Sequence, residues 1–426
     1  MPIQNARTTN GLVRGATTPI AGRPTLELSV VIPCLNEAET IEACVAAALE
    51  AMSAAGITGE VVVCDNGSSD DTVICALRAG ARVVHCPTRG YGAALRWGFK
   101  EARGRYLLMG DGDESYDFAL LPRFVEAARA GARFIIGSRL KGRIDPGAMP
   151  LLHRHIGTPV LTAILNGLFD TTISDCNCGM RCIERETFAA LGVVSSGMEF
   201  ASEMVVKAAV QSVPITEVPI DFHKDRRGRR PHLRPFRDGW RHLRLLLSHA
   251  PDHMMTVPGL ALLAAGWPLV IVQLAGPLTI GSAHLDIHYM ILGVTMALIG
   301  TSATTLGLVV GALMPRGKVR QIAWLRGAHQ RFTFDNAVAI AALCVLAGVL
   351  SDGLVLGYWI YTGHGELTPW FTRRTLFGLV LISTGVQVAL AALVLSTASL
   401  VEAESVATSL RSEHTNVGAR AAPLSH

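Results

Sequence analysis

The sequence RYLLMGDGDESYDF, residues 105–118, places two aspartates, Asp111 and Asp113, directly after a hydrophobic run. The run has the composition of a buried strand, so both carboxylates are expected at the carboxyl end of that strand. Paired carboxylates suit a hard divalent cation, because Mg²⁺ takes oxygen ligands and commonly bridges carboxylates to substrate phosphates. An acidic turn that binds no metal has the same pattern, so the segment needs support from the rest of the chain.

Short β-branched runs flank this segment on both sides and alternate with helix-like stretches such as residues 38–55 and 91–102. The runs are residues 28–33, 60–65, 82–86, 133–137 and 217–222. This alternation predicts an α/β fold with a mostly parallel sheet. Such sheets bind ligands at the carboxyl ends of their strands. The polar residues expected at those ends are Asn36, Asp65, Asp111 and Arg139.

The composition excludes a wholly soluble protein. Of the 426 residues, 50% are hydrophobic and 17% are charged, against roughly 25% charged in an average soluble domain, and the mean hydropathy is +0.36. Four long apolar stretches follow residue 254, at residues 255–280, 289–314, 336–361 and 375–401. Each exceeds the ~20 residues that cross a bilayer, so they are predicted transmembrane helices. Only the third contains a charge, Asp352.

The chain is expected to divide into five parts. These are a disordered leader (1–25), the α/β domain (26–222), a basic interfacial segment (223–254), a four-helix transmembrane domain (255–401) and a polar tail (402–426). The loop between the second and third apolar stretches has five Lys and Arg residues, whereas the loop after the first has none. The positive-inside rule therefore predicts that the α/β domain and the C-terminus face the cytoplasm.

Residues 221–244 contain nine basic and three acidic residues, and from Phe236 onward they have the periodicity of an amphipathic helix. Such a helix lies on an anionic leaflet, and two interpretations remain open. The segment anchors the domain, or it also captures a lipid phosphate. The second interpretation singles out Arg234 and Arg237 first, and otherwise Arg227, Arg229 and Arg230. Nucleic-acid binding is not expected, because the segment adjoins a predicted span.

Eight segments together resemble the family-2 glycosyltransferases of GT-A fold. They are VVIPCLNEAETI, VVVCDNGSSDDT, RGYGAALRWGF, LMGDGDESYDF, IIGSRL, DCNCGMR, GMEFASEMVVKA and RPHLRPFRDGWRHLRLLL. Within that family the chain is similar to the polyprenyl-phosphate glycosyltransferases, which include dolichyl-phosphate mannose and glucose synthases. The resemblance covers about residues 27–250. The apolar C-terminal region resembles the small membrane domain often fused to this group.

The resemblance implies a set of site residues. Nucleotide-sugar binding is expected at Pro33, Leu35, Glu37, Asp65, Gly90, Asp111, Glu199 and Glu203. The catalytic residues are expected to be Asp111, Asp113, Arg139 and Asp175, with Asp111 and Asp113 as ligands of Mg²⁺ or Mn²⁺. Ser115 occupies the position where the family often has a glutamine, so a third side-chain ligand is not expected from it. For Glu199 and Glu203 a solvated helix face remains the alternative.

The expected enzyme is an integral protein of the cytoplasmic membrane that transfers one hexosyl unit, with inversion, from a nucleotide sugar to polyprenyl phosphate. UDP-glucose or a related UDP-hexose is the favoured donor, and GDP-mannose is the alternative. Membrane lipids are expected partners, and a homo-oligomer is left open. Two rival functions are a processive polysaccharide synthase and a lipid-linked sugar flippase with a degenerate domain. The Gln-x-x-Arg-Trp motif of the synthases is missing from the sequence, and the Asp111/Asp113 pair argues against a degenerate domain.

Overall fold

The computed structural model describes residues 26–226, 235–281, 283–314, 319–366 and 368–420. Among these residues one sheet forms the centre of an α/β domain. Its strands are β1 (Leu28–Cys34), β2 (Gly59–Asp65), β3 (Arg82–His85), β4 (Tyr106–Met109), β5 (Phe134–Ser138), β6 (Arg181–Glu184) and β7 (Ile215–Pro219). Their spatial order is β3-β2-β1-β4-β6-β5-β7.

All neighbouring strands run parallel except β6, which is antiparallel to β4 and β5. The predicted mostly parallel α/β sheet is therefore confirmed. The register aligns Cys34 with Asp65 and Val31 with Met109. Because β1, β2 and β4 run in the same direction, the polar residues that follow them emerge at one edge of the sheet.

Strand β6 has no counterpart among the hydrophobic runs found in the sequence. It is four residues long, and it begins with Arg181 and ends with Glu184, so it lacks an apolar pattern of its own. Its position between β4 and β5 is stabilised by Arg181, which is fully buried. That guanidinium donates hydrogen bonds to the backbone carbonyls of Cys176 and Cys178.

Helices cover both faces of the sheet. They are α1 (Ile41–Ala54), α2 (Thr72–Arg78), α3 (Tyr91–Glu101), α4 (Leu121–Arg129), α5 (Thr158–Phe169), α6 (Arg185–Leu191) and α7 (Phe200–Val210). Helices α1, α2 and α4 contribute to the hydrophobic core on one face. The other core is formed with α3, α5, α6 and α7. Because both faces are covered, the strands are nearly continuously apolar, as buried parallel strands are.

Helix α8 (Pro235–Ser248) follows and confirms the helix expected in the basic segment. Its buried positions are Asp238, His242 and Leu246, which are four residues apart and therefore share one face. Leu246 belongs to the same hydrophobic core as α3 and α7. Trp240 is 62% exposed, so the helix packs one face on the domain and turns an aromatic side chain outward.

In the described part of the chain, four helices are long and apolar enough to cross a bilayer. They extend over Asp252–Leu274, Ile287–Leu313, Phe334–Tyr361 and Pro369–Leu400. The helices and strands that follow α8 are α9 (Val257–Leu274), β8 (Leu278–Ile280), β9 (Ala283–Leu285), α10 (Ile287–Leu313), α11 (Arg326–Arg331), α12 (Phe334–Tyr361) and α13 (Pro369–Arg420).

The first apolar stretch is shorter as a helix than predicted. Helix α9 ends at Leu274, and Gly276 and Pro277 follow. Gly276 has a φ of +133°, a conformation that interrupts the helix and favours glycine. The last residues of the predicted stretch form β8, which pairs with β9 as a hairpin.

Glycines allow the long helices to approach closely. A Cβ atom at Gly266 would lie 2.7 Å from the carbonyl oxygen of Gly293, across the contact between α9 and α10. A Cβ atom at Gly348 would lie 2.6 Å from the carbonyl oxygen of Gly378, across the contact between α12 and α13. Small residues at such contacts are typical of membrane helices, which associate through close packing. The carboxylate of Asp352 lies directly against Gly378.

Candidate active site

A cavity of about 990 Å³ lies at the edge of the sheet where β1, β2, β4 and β5 end. The predicted site residues that line it are Pro33, Leu35, Glu37, Gly90, Asp111, Asp113, Arg139 and Arg237. They come from five separate segments of the chain. The fold therefore brings together most of the residues that the sequence motifs singled out.

Asp111 and Asp113 both line this cavity, and neighbouring groups orient both carboxylates. The Tyr91 hydroxyl donates to Oδ1 of Asp111 at 2.8 Å. Asp113 is only 5% exposed, and its Oδ1 accepts hydrogen bonds from the hydroxyl and the backbone N–H of Ser115, at 2.5 and 3.1 Å. Burial and the neighbouring Asp111 raise the pKa of Tyr91 well above its ordinary value. Tyr91 thus remains a hydrogen-bond donor to Asp111.

This donor set fits Mg²⁺ or Mn²⁺. Two carboxylates line one cavity, and Mg²⁺ is commonly held by one or two carboxylates while substrate phosphates and water complete its six oxygen ligands. Within the described residues no group of three His, Cys, Asp or Glu side chains is arranged to hold a metal by itself. Asp111 and Asp113 therefore suit a cation that shares its ligands with a bound phosphate.

Arg139 lines the cavity, but its guanidinium is oriented by Asp175. Nε of Arg139 donates to Oδ2 of Asp175 at 2.7 Å and Nη2 donates to Oδ1 at 2.9 Å. Burial alone would raise the pKa of Asp175, yet the charge and hydrogen bonds of Arg139 lower it. Burial likewise opposes the charge on Arg139, and Tyr116 and Asp175 outweigh it and raise the pKa of Arg139. Both groups are therefore charged.

Asp175 itself is fully buried and is not part of the cavity lining. The resemblance to the family implied that Asp175 is a catalytic residue. The structure instead places it behind Arg139, where it fixes the orientation of the guanidinium. Asp175 is therefore a positioning residue in this geometry.

Glu203 is also absent from the cavity lining. Its buried carboxylate accepts hydrogen bonds from the N–H groups of Val194 and Ser195 and forms an ion pair with Lys207 at 2.7 Å. Burial opposes the charge on Glu203, but Lys207 and Ser195 outweigh it and lower its pKa. The structure thus does not bring Glu203 to the predicted sugar site; it holds the loop before α7.

Glu199 lies next to the cavity without lining it. Its carboxylate lies against Gly197, where a Cβ atom would clash with it, and Gly197 and Met198 do line the cavity. Within the described residues, its Oε2 is buried and has no hydrogen-bond partner. Unlike Glu203, Glu199 therefore lies in contact with a residue of the cavity lining.

Asp65 is the last residue of β2 and lies beside the cavity, but its carboxylate is bonded to groups around it. It accepts hydrogen bonds from the N–H groups of Gly67 and Ser68 and lies 3.2 Å from Nδ1 of His85. Burial opposes its charge, but these contacts outweigh burial and lower the pKa of Asp65. Asn66, the next residue, lines the cavity instead.

Asn66 holds the glycine-rich loop that precedes α3. Its side-chain oxygen accepts a hydrogen bond from the N–H of Gly90 at 2.7 Å, and its amide donates to the carbonyl of Thr88 at 2.8 Å. Sequence reasoning did not single out Asn66, although it follows Asp65 within the quoted DNGSSDD motif. In the sequence it looks like an ordinary turn residue, because its hydrogen bonds to Thr88 and Gly90 depend on the folded chain.

The glycines at the start of α3 serve packing in this structure. A Cβ atom at Gly90 would clash with the carbonyl of Ser196, and one at Gly92 would lie 2.6 Å from the carbonyl of Ser195. The N–H of Ala93 donates to the carbonyl of Ser196. A glycine-rich start of a helix commonly brings backbone N–H groups close to a bound phosphate. The N–H of Ala93 is instead hydrogen-bonded to the loop before α7, which Glu203 holds.

Helix α8 supplies another part of the cavity wall through Arg237, Asp238, Arg241 and His242. Nδ1 of His242 and the hydroxyl of Ser202 form a hydrogen bond of 2.6 Å. Burial lowers the pKa of His242. The other predicted lipid-phosphate residues, Arg227, Arg229, Arg230 and Arg234, lie outside the described residues.

Comparison with known proteins identifies the family. Residues 29–192 match glycosyl transferase family 2, and residues 316–399 match the family-2 C-terminal transmembrane region. The low-salt glycan biosynthesis hexosyltransferase Agl6 of Haloferax volcanii is 36% identical over 344 residues, which are 80% of this chain and 82% of that relative. The chain belongs to glycosyltransferase family 2. It is a transferase and an integral membrane protein with a GT-A catalytic domain.

Other similar proteins include the dolichyl-phosphate hexose transferase of Haloferax volcanii. It is 28% identical over 179 residues, which are 42% of this chain and 75% of that relative. Among solved structures, glucosyl-3-phosphoglycerate synthase of Mycobacterium tuberculosis, in complex with Mn²⁺, UDP-glucose and phosphoglyceric acid, has a TM-score of 0.43 and 21% identity. That match covers 52% of this chain and 79% of the other.

Proposed function

We propose that this family-2 glycosyltransferase transfers a single hexosyl unit from a nucleotide sugar to a polyprenyl phosphate at the cytoplasmic face of the membrane. One observation carries the proposal. The same cavity contains Asp111 and Asp113 and also Arg237 and Arg241 of α8, and α8 ends at Ser248, four residues before the first membrane-spanning helix begins. A cavity with a carboxylate pair and a cationic wall beside the bilayer suits a soluble donor and a lipid acceptor.

The chemistry requires little acid–base catalysis. A phosphate monoester is already an anion at pH 7, so one of its oxygens attacks the anomeric carbon while the bond from that carbon to the nucleoside diphosphate breaks. In-line attack inverts the anomeric configuration. The enzyme contributes positioning and stabilisation of developing charge. A divalent cation, when held at Asp111 and Asp113, supplies neutralisation of the departing diphosphate.

The chain's own residues orient these groups. Asp175 fixes the guanidinium of Arg139 at the cavity wall, where an arginine stabilises phosphate oxygens through charge-assisted hydrogen bonds. Tyr91 and Ser115 fix the two carboxylates. For the acceptor, Arg237 is exposed and lines the cavity, so it is the described residue that we assign to the lipid phosphate.

The cytoplasmic orientation rests on the distribution of charge. The loop between the second and third spans is rich in Lys and Arg, and such loops remain in the cytoplasm. The catalytic domain lies on the same side as that loop, because the backbone N–H of Arg320 donates to the carbonyl of His249. Nucleotide sugars would thus reach the site from the cytoplasm.

A donor panel tests the proposal. Purified protein is incubated with Mg²⁺ or Mn²⁺, undecaprenyl phosphate and radiolabelled UDP-glucose, UDP-galactose or GDP-mannose, and the organic phase is counted. We expect one labelled lipid bearing one sugar, with a UDP-hexose as the better donor and GDP-mannose as the alternative. Water-soluble label in a growing polymer would indicate a polysaccharide synthase and contradict the proposal.

A further inference from the structure

A second cavity, of about 650 Å³, lies between the catalytic domain and the membrane helices. Its lining comes from the end of α7, the end of α10, the loop that follows α10, and α11. The lining residues are Val210, Ser212, Gly311, Ala312, Met314, Val319, Arg320, Gln321, Arg326, His329 and Gln330. It shares no lining residue with the cavity that contains Asp111. It is therefore a separate site.

The lining of this second cavity is cationic and rich in hydrogen-bond donors. The polar lining residues are Ser212, Arg320, Gln321, Arg326, His329 and Gln330, and no lining residue among those described is Asp or Glu. Two carboxylates contact lining residues: the exposed Asp170 forms an ion pair with Arg320, and the buried Asp252 lies 3.0 Å from Nε2 of His329. Within the described residues Arg326 forms no ion pair.

The cavity floor is rigid. The imidazole of His329 lies directly against Gly311, where a Cβ atom would clash with the ring. Asp252, fully buried at the start of the first span, also accepts a hydrogen bond from the N–H of Ile322 at 2.8 Å. These contacts hold the loop against the ends of two membrane helices. The shape of the cavity is thus set by packed elements.

The depth of the cavity identifies the kind of ligand. One span begins at Asp252 and another ends at Leu313, and residues close to both helix ends form the floor. That level is the headgroup zone of the leaflet on the side of the catalytic domain. Basic cavities between membrane helices at this level bind the headgroups of anionic lipids. Val210, Met314 and Val319 add apolar contacts in the lining.

We propose that this second cavity binds the headgroup phosphate of an anionic glycerophospholipid, with Arg326 as its principal cationic contact. The bound lipid would bridge Ser212 of the catalytic domain and the loop on the membrane domain, and so fix the domain against the bilayer. This site is distinct from the acceptor site, and the inference does not depend on which lipid or sugar the enzyme uses.

The experiment measures the thermal stability and native mass spectrum of the full-length protein in detergent, titrated with dioleoylphosphatidylglycerol. Dioleoylphosphatidylcholine and inorganic phosphate are the comparison ligands. We expect a concentration-dependent rise in Tm with phosphatidylglycerol only. Arg326→Gln should weaken the apparent affinity about tenfold, since it removes charge-assisted hydrogen bonds to phosphate. Gln330→Ala should weaken it in the same direction.

Arg331→Gln is the matched control. It removes the same charge from the same helix α11, but Arg331 is not part of the cavity lining. Arg331 is five positions after Arg326, so the two side chains point about 140° apart around the helix. The proposal is overturned if Arg326→Gln and Arg331→Gln behave alike, or if inorganic phosphate produces the same rise in Tm. It is also overturned if Arg326→Gln raises the KM for polyprenyl phosphate, because the cavity would then bind the acceptor.

Discussion

Arg139 and Asp175 form a buried, two-pronged ion pair, with N–O distances of 2.7 and 2.9 Å, at the wall of the cavity that contains Asp111 and Asp113. Only Arg139 faces the cavity. The pair therefore links a cation that lines the cavity to the core of the domain, and its two members have different expected mutational phenotypes.

Asp175→Asn should destabilise the protein and lower kcat. Removing one partner of a buried pair leaves an uncompensated charge, which costs about 3–5 kcal/mol, and it releases the Arg139 guanidinium from its fixed orientation. Thermal unfolding in detergent and steady-state kinetics measure both effects. Asp71→Asn, at an exposed position, is the control. An unchanged Tm with lost activity would instead place Asp175 in contact with substrate.

The same pair predicts a pH dependence of stability. Because the pKa of Asp175 is lowered in the folded protein, its contribution is present above the ordinary aspartate pKa of about 4 and is lost as pH falls through the lowered value. The difference in Tm between wild type and Asp175→Asn should therefore shrink below about pH 4. A difference that stays constant over that range would contradict the ion pair.

Glu203→Gln should raise the KM for the nucleotide sugar severalfold and lower Tm. The carboxylate holds the loop before α7, and a hydrogen bond to a buried charged group contributes about 1.5–3 kcal/mol. Lys207→Gln distinguishes the two explanations, because Lys207 contacts Glu203 and the carbonyl of Gly192 and does not line the cavity. If Glu203 acts through the loop, both variants shift the KM in the same direction. If only Glu203→Gln does so, its carboxylate contacts the sugar.

Arg237→Gln should raise the KM for polyprenyl phosphate about tenfold, since one charge-assisted contact to phosphate is removed, and leave the KM for the nucleotide sugar unchanged. Arg244→Gln is a control on the same helix, since Arg244 is exposed and does not line the cavity. A parallel rise of both KM values would make α8 a structural support. Acceptor binding would then be sought at Arg227, Arg229 or Arg230.

The orientation predicts which surface cysteines are labelled in intact cells by a membrane-impermeant maleimide. A cysteine introduced at Glu366, in the loop after the third span, should react from outside. One at Ala328, in the basic loop, should react only after the membrane is permeabilised. Both positions are exposed, and the unsubstituted chain measures the background of its nine native cysteines. The reverse pattern would place the donor site outside the cell.

The sequence predicted those features that depend on local pattern. Alternating apolar runs located six of the seven strands found in the described sheet, and the Asp-x-Asp pair located the end of β4. The sequence did not predict β6, because its two apolar residues stand between the charged residues Arg181 and Glu184. The length of α9 was overestimated, because apolar composition continues through Gly276 and Pro277 into β8.

Features that depend on distant contacts were not predictable from pattern. Asn66 binds the N–H of Gly90, and Tyr91 donates a hydrogen bond to Asp111. Both roles depend on contacts between segments that are distant in the sequence. Glu203 lies on the same stretch of helix as Glu199, and the resemblance to the family placed both at the sugar site. Hydrogen bonds to Val194 and the contact with Lys207 direct the Glu203 carboxylate away from the cavity lining.

The most direct test of the proposed reaction is nucleoside diphosphate release by wild type and by Asp113→Ala, each measured with and without polyprenyl phosphate. Wild type should release nucleoside diphosphate only when lipid phosphate and a divalent cation are present. Asp113→Ala should release none, although it remains folded and inserted in the membrane. Release that does not need lipid phosphate, or wild-type turnover by Asp113→Ala with the metal requirement intact, would contradict transfer to a polyprenyl phosphate at this site.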